Sequence, residues 1–346
     1  IGLHRWAQAL SFWSKGETPE ALESIEEGLS LKPERPRPGV WLRLAALKAH
    51  ILIDQRTMAR AEQAMAELGE AAVQGDDLAL TIQARILESQ VSRFKGRPEE
   101  ALMLLKEVAG EMPPEHVRTA ACQLELELAR AHLDFGWITS AEDHVAQARE
   151  LAKRDDDVSN EARAMLLEAE VALWSGDATR ARFIAASAVE MLAGKNDWRL
   201  SADVELMRIA IELKIESGPD RTMIARAQQL AQVAVQRHDA PRAAVASRLG
   251  ALLALRNRDP ALAVELAEGA LRQSDECRGW RDQTAAFLYV LAVSRHKAGI
   301  HRTAQALETR ALEHVRQIAA TIEDRGRKKA WVNAPINQEI LKLVER

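Results

Sequence analysis

The side chains able to do chemistry are few and scattered. The 346 residues hold two cysteines and nine histidines, and they contain no Gly-x-x-x-x-Gly-Lys phosphate loop, no His-Glu-x-x-His, no Cys-x-x-Cys and no Gly-x-Ser-x-Gly elbow. His296 and His301 are the closest pair of histidines, but they straddle Gly299 and so would not share a helix face. A solvated turn is the plainer reading than a metal site. Cys122, beside Ala121 and Leu124, reads as a small buried thiol. Cys277 falls in a connection with no histidine near it in sequence. Asp155-Asp156-Asp157 lies between two helical segments, where carboxylates cap a helix start and favour its positive end. Arg325-Gly326-Arg327-Lys328-Lys329 reads as a solvated linker, and Arg35-Pro36-Arg37-Pro38 as a stiff connection. No cofactor and no catalytic residue is expected, and an enzyme is the least favoured class.

Composition narrows the classes further. Fourteen aromatic residues and 28 glycines and prolines are too few turn formers and strand formers for an all-β chain of this length. With 47 basic and 51 acidic side chains the net charge is −4, so no overall field draws the chain to nucleic acid or anionic lipid. No apolar run is long enough to span a bilayer. Two distant cysteines fit a reducing, cytoplasmic setting better than a disulfide framework.

The elements that position these residues come from a repeat. Alanine recurs at a step of 40 as Ala21, Ala61, Ala101, Ala141 and Ala181, and continues as Ala227, Ala263 and Ala304 at steps of 46, 36 and 41. Five residues before five of these stands glycine: Gly16, Gly96, Gly136, Gly176 and Gly299. Glycine permits the positive φ that ends a helix tightly, so each pair predicts helix, turn, helix. Pro19 and Pro98 fit the first turn of the second helix. Twelve residues before the alanine stands another small residue in seven units: Ala9, Ala49, Ser89, Ala129, Ala169, Ala251 and Ala292. Apolar or small residues follow at +4 and +7, such as Leu105/Val108 and Ala185/Ala188, giving each second helix one apolar face.

Small residue, glycine, alanine and, at Pro33 and Pro113, a closing proline: this pattern resembles the tetratricopeptide repeat. The 40-residue step exceeds the usual 34, and its length is similar to the repeat regions of bacterial regulators such as the maltose-regulon activator and related signalling ATPases. The resemblance implies an all-α, right-handed solenoid of about eight antiparallel hairpins over 1–321, with a linker and capping helix over 322–346. First helices are expected near 2–15, 40–54, 77–94, 115–134, 158–174, 198–216, 241–256 and 281–297. In such a stack each hairpin buries its faces against its neighbours. Breaks of period near Gly218-Pro219-Asp220 and Asn257 to Pro260 mark expected changes of pitch.

In this family the first helices line a concave groove, and the resemblance implies that ligands lie there. Equivalent positions 40 apart give three ladders on one helix face: Arg43, Gln83, Gln123 and Arg163; His50, Gln90, Arg130 and Glu170; and Asp54, Phe94, Asp134 and Trp174. From these, Arg43, His50, Gln83, Gln90, Phe94, Gln123, Arg130, Arg163, Glu170 and Trp174 are the candidate binding residues. Solvation of a polar face and core packing of Phe94 and Trp174 are the plain alternatives. The expected partner is a protein, a peptide or another domain of the same polypeptide, with no membrane and no nucleic acid. A small-molecule sensor is the alternative function. The chain opens on Ile1 with the repeat already in register, so it is expected to be a piece of a longer regulatory or signalling protein.

Overall fold

A computed structural model describes residues 2–30, 38–74, 78–112, 118–215 and 221–342. Pro33, Pro113, most of Arg35 to Pro38 and the Gly218 break lie outside them. The described residues form eighteen helices and no strand. Eight hairpins run α1 (Gly2–Ser14) with α2 (Thr18–Ser30), α3 (Pro38–Asp54) with α4 (Met58–Gln74), α5 (Leu78–Phe94) with α6 (Pro98–Glu111), and α7 (Arg118–Asp134) with α8 (Ile138–Arg154). They continue α9 (Val158–Trp174) with α10 (Ala178–Met191), α11 (Trp198–Lys214) with α12 (Arg221–Gln236), α13 (Ala240–Arg256) with α14 (Pro260–Glu276), and α15 (Thr284–Lys297) with α16 (His301–Ala320).

Local chemistry sets the boundaries. The five repeat glycines adopt φ between 70 and 86°. Arg56 and Arg258, at the same place in the second and seventh hairpins, take the left-handed conformation without glycine, at φ 56 and 59°. Aspartate opens many helices: Asp157, Asp177, Asp197, Asp239, Asp259 and Asp324 each accept a bond from the backbone N–H three residues on. Asp155-Asp156-Asp157 is thereby a helix end followed by a helix start. The repeat alanines from Ala21 to Ala304 and the small residues of the first helices are all 0–2% exposed. Two backbones approach where no side chain intervenes, which holds each hairpin closed.

Hairpins stack through their first helices, with α3 against α5, α5 against α7, α7 against α9, α11 against α13 and α13 against α15. The odd-numbered helices therefore form one inner wall.

Contacts beyond the neighbours depart from the expected stack. The coil returns on itself after five hairpins. Arg199, opening α11, donates to the Trp13 carbonyl (3.1 Å) across 186 residues, and Arg242, opening α13, reaches Asp54 (3.2 Å) across 188. The N–H of Arg281, before α15, donates to the Phe94 carbonyl at 2.7 Å. The outer helices repeat the offset: Arg237 donates to the Lys15 carbonyl and Thr321 to the Gly96 carbonyl, across 222 and 225 residues. The turns of hairpins one to three thus rest on the ends of hairpins six to eight. Gly16 and Gly96 are needed there for a second reason, because a Cβ would lie 2.5 Å from Trp198 and 2.9 Å from Ile318.

The C-terminal cap is two short helices, α17 (Arg325–Val332) and α18 (Pro335–Leu341). Helix starts at Arg325, where the sequence reads as linker, because Asp324 caps it and Glu99 of α6 accepts from Arg327 (2.7 Å) and from the Asp324 N–H (3.3 Å). Buried Trp331 and Ile340 join the core cluster containing α15 and α16 residues.

Candidate functional site

Among the candidate residues, the structure brings most onto the inner wall and separates two of them from it in character. Gln83, Gln90, Gln123, Arg130, Arg163 and Glu170 are all half-buried, on α5, α7 and α9. Arg130 lies 3.8 Å from Glu127 and Arg163 donates to Asn160 at 3.1 Å. His50 is half-buried and meets the Trp13 ring edge-on at 5.0 Å. Burial and the Arg163 guanidinium pull its pKa down to about 4, so it is neutral at physiological pH. Arg43 is exposed, 5.9 Å from the Trp6 ring centre.

Phe94 and Trp174 take the packing role. Phe94 is 5% exposed, inside the wall, with the guanidinium groups of Arg56 and Arg93 at 3.6 and 4.3 Å from its ring centre. Trp174 packs on the buried cluster of α7, α8 and α9.

Beside these residues lies a dense set of charges, of which the ladders include only Asp54 and Asp134. Asp54 closes α3 and faces Arg199 and Arg242; Arg242 also holds Asp203 (2.8 Å) and Asp239 (3.1 Å), and Arg199 donates to Thr18 (2.6 Å). Burial would push the Asp54 carboxyl up, but Arg242 and Arg199 outweigh it and hold it well below the usual carboxylate range. Asp134 is the opposite case. Burial, with Asp282 and Glu170 nearby, pushes it up to about 7 despite Arg93 and Arg130. One signal for this network was present in the sequence: Arg199 and Arg242 open their helices, where a cation faces the positive end of the dipole and needs a tertiary reason to be there.

The remaining chemistry-bearing residues resolve as follows. His296 and His301, though on different helices, come together across the Gly299 turn with Nδ1 atoms 3.1 Å apart, and Glu308 meets the other nitrogen of His296 at 3.0 Å. Among the described residues no group of three or more His, Cys, Asp or Glu could hold a metal ion. Both cysteines are buried, and burial pushes Cys122 up to about 11 and Cys277 up to about 12, away from nucleophilic thiolate. Among the described residues no helix is long and apolar enough to cross a membrane.

A shallow cleft of about 320 Å³ lies on the outside, lined by Glu142, Arg149, Lys153, Glu168 and Arg180. Its charges are already paired: Arg149 with Glu168 at 2.8 Å, Arg180 with Glu142 at 3.1 Å. The inner wall, where the side-chain amides of Gln83, Gln90 and Gln123 make no bond within the described protein, is the better candidate site.

No family description matches the sequence, and no curated protein matches it. Solved structures do match in shape. A Rap protein complexed with competence and sporulation factor superposes with a TM-score of 0.61 at 11% identity, over 99% of this chain and 96% of that one. The fold is the tetratricopeptide-type solenoid. A signal-transduction ATPase of Pyrococcus horikoshii with a tetratricopeptide repeat sensor gives 0.56 at 14% identity, over 94% of this chain and 53% of that one, so this chain spans about half of it. Human IFIT1, as a dimer with m7Gppp-AAAA, gives 0.51 at 14% identity over 97% and 75%. At these identities the likeness concerns architecture.

Proposed function

We propose that the chain is a non-catalytic recognition module that holds a peptide or an extended protein segment against the inner wall of its coiled tetratricopeptide-type fold, within a larger cytoplasmic regulatory protein. The observation that carries this reading is the ladder of half-buried polar side chains on successive first helices, Gln83, Gln90, Gln123, Arg130, Arg163 and Glu170. The amides of Gln83 and Gln123, one repeat apart, and of Gln90 one ladder along, which make no bond among the described residues, match the alternating donors and acceptors of an extended backbone, and the charged members choose among side chains. A Rap protein of the same architecture has been solved with competence and sporulation factor, which supports a partner of this kind.

Panning a random short-peptide library on the purified protein and measuring the affinity of a selected peptide tests the proposal. Replacing Gln90, Arg130 and Glu170 together by alanine is expected to weaken binding at least about tenfold with helicity unchanged. Unchanged affinity would contradict it.

The return of the coil after five hairpins, which brings the ends of hairpins six to eight onto the turns of hairpins one to three, favours a small-molecule sensor as the second reading. A thermal-shift screen with sugars and metabolites separates the two, since a tight small ligand raises Tm by mass action.

A further inference from the structure

The seam where the coil closes holds two clusters of arginines, and they differ in how fully they are paired. In the first, two guanidinium groups, Arg199 and Arg242, meet three carboxylates, Asp54, Asp203 and Asp239. In the second, three guanidinium groups, Arg56, Arg93 and Arg248, share one carboxylate within ion-pair reach: Asp282, 4.0 Å from Arg93. Among the described residues neither Arg56 nor Arg248 has a carboxylate within that distance. Asp134, Glu127, Asp282 and Glu170 outweigh burial at Arg93 and raise its pKa; at Arg56 and Arg248 burial outweighs Asp54 and Asp282 and lowers it, for Arg56 to about 10, so these two are the cations left short of negative charge.

The faces of the three guanidinium groups are taken and their edges are only partly used: Arg56 donates through Nη1 to the Ile53 and Asp54 carbonyls, at 2.8 and 3.3 Å, and Arg93 faces Asp282, whose Oδ1 has no partner among the described residues. Arg56 stacks on Phe94 at 3.6 Å and lies 5.6 Å from the Trp280 ring; Arg93 stacks on Phe94 at 4.3 Å; Arg248 lies 5.6 Å from the Phe287 ring. Trp280 and Phe287 are themselves 5.4 Å apart, so one aromatic group carries all three cations. The Nε atoms of Arg56, Arg93 and Arg248 are buried and have no hydrogen-bond partner among the described residues. Stacking fixes a guanidinium plane and aims its in-plane N–H groups, the geometry that recognises a two-oxygen anion. Cations withdrawn from water with unused donors are costly unless a ligand completes them.

We propose that this corner of the inner wall is an oxyanion site that seats a carboxylate of an acidic peptide on Arg56, Arg93 and Arg248. The proposal rests on the reading of the inner wall as a peptide site and names its ligand class. A peptide source is favoured over a free anion because the amides of Gln83, Gln90 and Gln123, without a partner among the described residues, lie on α5 and α7 of the same wall.

Arg56 also caps α3 by donating to the Ile53 carbonyl at 2.8 Å, so Arg248, which makes no such bond, is the residue to change. A fluorescein-labelled oligoglutamate peptide is titrated by fluorescence anisotropy at fixed ionic strength, with oligoglutamine as the uncharged counterpart and inorganic phosphate as competitor. The expected result is binding of oligoglutamate and not oligoglutamine, weakened about tenfold or more by Arg248→Met and less by Arg248→Lys. The free Arg248→Met protein is expected to melt no lower than the parent, because it loses an unpaired cation; a lower Tm with unchanged binding would assign Arg248 to structure and overturn the proposal. No binding of oligoglutamate overturns it. Arg248-dependent binding of phosphate alone overturns the peptide source. If library-selected peptides still bind in a manner that needs Gln90, Arg130 and Glu170 while Arg248→Met changes nothing, the inner-wall reading stands and this inference falls.

Discussion

Asp134 shows what burial does to a single ladder residue. Its carboxyl, ordinarily near 3.8, is pushed up to about 7 by burial. Between those two pH values the folded chain binds more protons at this group than the unfolded chain does, so its contribution to stability falls as pH rises through the window. Asp134→Asn is therefore expected to stabilise the protein at pH 8, by on the order of 2 kcal/mol after allowance for partial exposure, and to have little effect near pH 4. His50 and His132 act in the opposite sense. Both are lowered to about 4 by burial, so the unfolded chain takes up protons first as pH falls below 6.5 and stability is lost toward pH 4. Thermal melts of parent and Asp134→Asn across this range check the sign. The ladder positions were legible because a 40-residue step puts them on one face; that Phe94 would carry arginines instead of facing a ligand was not, because Arg56 reaches it from another hairpin through a left-handed turn conformation the step does not encode.

At the scale of elements the sequence was nearly sufficient. Alanine, glycine and small-residue spacings placed both helices of all eight hairpins, since each feature acts within one hairpin. The aspartate caps belong to the same local grammar. Asp177 opens α10 and accepts from the Arg180 N–H at 2.8 Å, so Asp177→Ala is expected to cost about 1 kcal/mol, read as a lower chemical-denaturation midpoint with unchanged slope. The C-terminal cap was read less well. Its basic run looks like linker until Asp324 caps it and Glu99, more than two hundred residues earlier, is found to hold Arg327.

For the whole molecule, curvature is the property that a repeat pattern leaves open. It sums small rotations between hairpins, and only contacts one full coil apart fix it, here Trp13 to Arg199, Asp54 to Arg242 and Phe94 to Arg281. Those contacts bring the turns of hairpins one to three against hairpins six to eight and assemble both arginine clusters. Asp54 stands at their centre, and replacing it by alanine leaves Arg199 and Arg242 short of a carboxylate, at an expected cost of about 3 kcal/mol. The central claim is tested by the distance between the two layers. Spin labels at Lys15→Cys and His238→Cys, with Cys122 and Cys277 buried and unreactive, report it by pulsed electron paramagnetic resonance. With Arg237 donating to the Lys15 carbonyl, the closed coil predicts a short, narrow distribution, broadened and lengthened by Asp54→Ala. A distribution of many tens of ångströms in the parent protein, as neighbour-only stacking of five hairpins would give, would contradict it.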